Sequence, residues 1–130
     1  MILMSTSRTQ PVPALSSAEA EIIAANDAGK EGIFLQNVLR EATRKEVQIE
    51  LYCDASAAIC FAKRQGLGRV RHLQLRFLWL QDQVKEKRLE IVKVSSAENR
   101  ADILTKPFAS GVQFFQLRWQ LGVDDADSAE

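Results

Sequence analysis

Three scarcities in this 130-residue chain narrow what it does. There are two cysteines, Cys53 and Cys60, and their spacing matches no metal motif. With no secretory signal they read as reduced, intracellular thiols packed in a core. Long apolar runs are absent too: Met1 to Met4 is too short for a signal segment, and no later stretch nears the ~20 apolar residues a membrane span needs. The expectation is a soluble chain of the cytoplasm or nucleus with no membrane partner. Net charge is the third lack. Seventeen basic and seventeen acidic residues cancel, so only local charge can argue for nucleic-acid binding.

What is present suits one domain with a modest core, since 46% of the residues are hydrophobic. The expected boundaries are residues 1–123 for that domain and 124–130 for a frayed acidic tail. Pro11 and Pro13 mark an extended lead-in. Ser16 followed by Glu19 reads as a capping box, and Ile22, Ala25, Gly29 and Ile33 recur at helical spacing, predicting a helix from Ser17 to Glu41. Val47, Ile49, Leu51 and Cys53 alternate with polar residues, as in a strand. A short helix through Ala57 to Ala62 then closes at Gln65-Gly66-Leu67-Gly68. A longer helix is expected over Val70–Lys87, with Leu73, Phe77, Leu80 and Val84 on one stripe, followed by a strand over Leu89–Val94. Helices between strands imply parallel pairing and an α/β fold. A further helix starts near Ala101 and breaks before Pro107, and Phe114, Leu117, Trp119 and Leu121 mark a last one. Trp79, Trp119 and Phe114 have rings able to stack on bases, but at helical spacing they read as core.

Three carboxylates fall at element ends: Glu21 early in the first helix, Asp54 directly after a strand, and Asp102 at the start of a later helix. Taken singly, each is what backbone N–H groups and the helix dipole favour. Together they suggest more, because ligand sites in parallel α/β sheets gather beyond the carboxyl ends of strands.

The segments Leu15-Ser16-Ser17-Ala18-Glu19-Ala20-Glu21, Leu51-Tyr52-Cys53-Asp54 and Ala97-Glu98-Asn99-Arg100-Ala101-Asp102-Ile103-Leu104-Thr105-Lys106-Pro107-Phe108 occur in that order. In this the chain resembles the ribonuclease H domain that ends the polyprotein of copia-type LTR retrotransposons, over about Ser5 to Leu121. The resemblance implies a ribonuclease H-like three-layer fold, a mixed sheet with helices on both faces, here lacking its first strands. It implies Glu21, Asp54 and Asp102 as catalytic metal ligands, with Glu19 left to capping. The cofactor implied is Mg²⁺ or Mn²⁺, as a pair ~4 Å apart that hydrolyses the RNA strand of RNA–DNA hybrids. The implied partners are such a hybrid and the reverse transcriptase portion of the parent polyprotein.

The family also has an earlier catalytic aspartate on a central strand, and no aspartate precedes Asp27 here. Asp27 follows Glu21 on the same helix and cannot replace it. The expectation is therefore little or no hybrid cleavage by this chain alone; a non-catalytic nucleic-acid-binding or interaction module is the alternative.

From Ala55 to Gln81 there is no acid, while Lys63, Arg64, Arg69, Arg71 and Arg76 are basic and His72 is the one histidine. A solvated helix face accounts for this run as well as phosphate contact does. With the resemblance, phosphate contact is favoured, aided by backbone N–H groups near Gly66 and Gly68. The family pattern departs at Gln74, which replaces an acid, and at Leu78, which replaces a second histidine.

Overall fold

The computed structural model describes all residues except 1, 8, 11–12, 67–74, 105–106, 109 and 124–130. The acidic tail and the centre of the basic run thus lie outside the described residues. The chain divides into a larger unit, residues 10–94, and a smaller one, residues 1–9 with 95–130.

The larger unit begins with α1, Ser17–Thr43. Ser16 Oγ accepts the Glu19 N–H at 3.1 Å, which satisfies one of the orphan donors of the first turn. The Glu19 carboxylate turns back but accepts from the Leu15 N–H, at 2.7 Å, one residue earlier than a capping box has it. The helix ends where Arg44 turns left-handed at φ 56° and returns its N–H to Arg40 O. Gln36 Nε2 donates to Val47 O at 2.5 Å, leading the chain into β1, Ile49–Cys53. After β1 come α2, Ser56–Lys63, a 3₁₀ turn, Leu75–Phe77, then α3, Leu78–Lys85, and β2, Leu89–Lys93. The helix expected over Val70–Lys87 is described only from Leu75, opens as that 3₁₀ turn, and stops short of Lys87, whose φ of 57° is left-handed.

β1 and β2 pair in parallel, with Ile49 opposite Leu89, Leu51 opposite Ile91 and Cys53 opposite Lys93. α1, α2 and α3 touch one another, so they share one face of this ribbon. Between them and the strands lies the core, which includes Ile22, Ile33, Phe61, Leu80, Leu89 and Ile91. The expected α1 stripe is buried as a whole: Ile22, Ala25, Gly29 and Ile33. Gly29 lets α1 lie close against α3 and β2, since a methyl there would stand 3.2 Å from Leu80 Cδ1 and 3.3 Å from Leu89 Cδ1.

Thus the fold is α/β, as expected. Among the described residues it has two strands, both parallel, and the larger unit's helices cover one face, leaving Glu50, Tyr52 and Glu90 exposed on the other. The mixed, doubly covered sheet of the resemblance needs strands that the described residues do not supply. No described helix is long and apolar enough to cross a membrane.

The smaller unit holds a 3₁₀ turn, Arg100–Leu104, and α4, Gly111–Gln120. The expected helix at Ala101 is only that turn. Asn99 directs it, its O accepting from the Asp102 N–H at 3.1 Å and its Oδ1 from the Ala101 N–H at 3.2 Å, and too few residues remain before Pro107 for an α-helix to propagate. In α4 Leu117 is buried while Trp119 is 77% and Phe114 36% exposed, which corrects the reading of these two rings as core. Positions two apart lie on different sides of a helix, and burying one turns the other outward. Cys60 is likewise exposed rather than packed inside, since Ala58, Phe61 and Ala62 form the buried stripe of α2.

Candidate functional site

The carboxyl end of β1 brings Glu21, Asp54 and Lys93 within electrostatic reach of Cys53. Gly32 lies on the flank of α1 that faces β1, where a methyl would stand 3.0 Å from Ile49 Cγ2. Glu21 precedes Gly32 by three helical turns, so it projects from almost the same line, about 20° away, and about 16 Å back along α1. From Ile49 to Cys53 the strand rises about 13 Å. α1 and β1 run oppositely, and Glu21 therefore arrives beside the end of β1, where Asp54 follows.

The intervening thiol senses both acids. Burial pushes the Cys53 thiol up from its ordinary range; a backbone hydrogen bond from Ala55 opposes this, and the charges of Asp54 and Glu21 add to the rise. Lys93, at the end of β2, pulls the other way. Its ammonium donates to Asp54 O and, at 3.2 Å, to Ser56 Oγ. Lys93 escaped the sequence reading, although parallel pairing of the two expected strands would set their carboxyl ends side by side. Glu21 is exposed and Asp54 half-buried. Asp102, half-buried, belongs to the 3₁₀ turn of the smaller unit.

Among the described residues, no three of His, Cys, Asp and Glu come together as a group able to hold a metal ion. A pair of divalent ions needs several carboxylates on different elements. The described donors do not fit such a pair.

Three of the expected phosphate-binding residues can be placed. Lys63 is exposed at the end of α2. The Arg64 guanidinium lies 5.3 Å from the Phe61 ring centroid, and that of Arg76 lies 5.1 Å from Phe77, so each guanidinium lies over a buried ring. Arg69, Arg71 and His72 lie outside the described residues. Gln81, which the sequence reading also passed over, ties Phe61 of α2 to the turn at Gly66. Its side-chain amide donates to Phe61 O at 2.9 Å and to Gly66 O at 2.9 Å, and accepts the Gly66 N–H at 2.8 Å. Gly66, at φ 77°, makes a turn that a side chain would strain. Its N–H is already committed to Gln81 and is not one that meets a phosphate.

No family model matches the chain, and no solved structure matches it. A curated relative does: the retrovirus-related Pol polyprotein from transposon TNT 1-94 of Nicotiana tabacum is 39% identical over 101 residues. The match takes in 77% of this chain and 8% of that polyprotein, so the chain spans a small part of the relative's length. The conclusion is that this chain is homologous to a short segment of a transposon-encoded, retrovirus-related Pol polyprotein.

Proposed function

We propose that the chain is the ribonuclease H-like portion of a retroelement polyprotein, binding RNA–DNA hybrid through Lys63, Arg64, Arg69, Arg71, His72 and Arg76, with little or no cleavage of its own. The observation that carries this reading is the meeting of Glu21 and Asp54 at the carboxyl end of β1, which the chain motifs assign to the same site. Asp102 is the third acid of that set. Their oxygen donors suit Mg²⁺ or Mn²⁺ rather than softer metals. The described donors still fall short of a metal pair. Weak or absent hydrolysis follows, with recognition of the hybrid backbone as the remaining activity. The other partner assigned is the reverse transcriptase portion of a parent polyprotein, and the setting is the cytoplasm or nucleus.

The test is incubation of the purified chain with a labelled RNA–DNA hybrid and Mg²⁺ or Mn²⁺, beside Asp54→Asn. The expected result is binding that weakens linearly in log K against log salt, without cleavage. Metal-dependent cleavage lost in Asp54→Asn would establish a working nuclease instead. Absence of salt-dependent binding would refute the hybrid-binding role.

A further inference from the structure

The geometry points to Gln81 as the positioning residue of the nucleic-acid face, an inference that rests on the hybrid-binding reading above. Gln81 sits on α3, one turn after Phe77, and is 6% exposed. Its amide engages three backbone groups of a separate segment: Phe61 O, Gly66 O and the Gly66 N–H. Phe61 lies in the last turn of α2, where the final carbonyls have no partner within the helix. Gln81 thus caps α2 from another helix and closes the turn that follows it.

The chemistry demands an amide. Two of the three backbone groups are acceptors and one is a donor, and a planar carboxamide supplies two N–H groups and an oxygen to match. An ionised carboxylate of the same size offers no donor and is repelled by both carbonyl oxygens, so it leaves the Gly66 N–H as well, and an apolar side chain has neither donor nor acceptor for the three groups.

The consequence for binding comes from what the clamp holds. Lys63 and Arg64 stand at the end of α2, between Phe61 and Gly66, and Arg76 stands beside Phe77 at the start of α3. Gln81 fastens these two places together. Phosphate binding is strengthened by cations held in one register, because side chains already ordered lose less entropy on association. Without the clamp the end of α2 frays and its cations meet the backbone as independent, mobile charges.

The experiment compares the wild-type chain with Gln81→Met, which keeps length and bulk, and with Gln81→Glu, in two readouts. Hydrogen exchange at the Gly66 amide reports the clamp itself, and the expected result is at least about tenfold faster exchange in both variants, the loss of one net hydrogen bond of about 1.4 kcal/mol. Affinity for RNA–DNA hybrid across a salt series reports the cations, with a slope of about −0.9 for each phosphate engaged. Both variants should bind several-fold more weakly, and the slope should flatten by about 0.9 for each phosphate no longer neutralised. Equal Gly66 exchange in all three proteins would overturn the clamp. Faster exchange with unchanged affinity and slope would make Gln81 a purely structural residue and overturn the inference. Wild-type binding with no salt dependence would remove the hybrid reading, and this role with it, while Gly66 exchange still reported whether the clamp exists. Should Gln81→Met fail to fold, Gln81→Glu at low pH, where a protonated carboxyl regains one donor, is expected to recover part of the Gly66 protection, and no recovery would count against the clamp.

Discussion

Replacing Asn26 with leucine is expected to stabilise the protein. Asn26 has no exposed surface and lies in the α1 stripe between Ile22 and Ile33, yet neither Nδ2 nor Oδ1 has a hydrogen-bond partner among the described residues. Leaving a buried polar group unsatisfied costs about 1–3 kcal/mol. Leucine branches at the same carbon as asparagine, and it forms helix more readily by a few tenths of a kcal/mol. Its extra bulk in a close-packed core opposes these gains by about 1 kcal/mol, at the mild end of overpacking. The net expectation is a gain of about 1–2 kcal/mol, or roughly 4 °C in Tm per kcal/mol for a chain of this size. Asn26→Asp is the counter-test, since it places an unpaired charge at the same spot and should destabilise by several kcal/mol. Urea unfolding followed by circular dichroism measures both, and the m value must stay constant for the comparison to hold. A lower midpoint for Asn26→Leu at unchanged m would refute the reasoning, because it would show that the amide is satisfied and contributes to stability.

Cys53 offers a readout of the candidate site. Its raised pKa means that alkylation in the folded chain should begin at higher pH than in the urea-unfolded chain. Asp54→Asn should move that midpoint down and Lys93→Met should move it up; a shift of either in the opposite direction would contradict the placement of these charges. The same linkage has a sign for stability: the unfolded thiol loses its proton first, so this contribution is fully present below the unfolded pKa and is lost as pH rises through the folded one. Ser16→Ala should cost about 0.5–2 kcal/mol by removing the acceptor for the Glu19 N–H, and an unchanged midpoint in urea would show that Glu19 alone secures the start of α1.

The local elements were legible because each carries its own periodicity or punctuation. α1 is announced by Ser16 and by the Ile22, Ala25, Gly29, Ile33 stripe, and its observed start at Ser17 agrees with the expected one. β1 follows from alternation, β2 from its place after the preceding helix, and their parallel pairing from the helices between them. Boundaries fared less well where a side chain outside the element intervenes. Asn99 and Pro107 reduce the expected helix at Ala101 to a 3₁₀ turn, and a left-handed Lys87 shortens α3. Cys60 and Trp119 show the limits of residue type as a guide, since apolar character says nothing of which side of a helix its neighbours have already claimed.

By itself, the sequence determined the α/β class, the start of α1, the two strands and their direction, because these rest on interactions among near neighbours and on the period of apolar residues. It also marked Glu21, Asp54 and Asp102 as residues of interest at element ends. Only the tertiary structure decided that Glu21 reaches the end of β1, that Lys93 enters the same corner, and that Gln81 binds the turn at Gly66. Each of these joins residues at least 15 positions apart, as with the Gly66 N–H and Gln81. Such pairings are set by how α1, α2, α3 and the strands pack around Leu80, Leu89 and Phe61, and packing depends on shape and distance that no local pattern encodes.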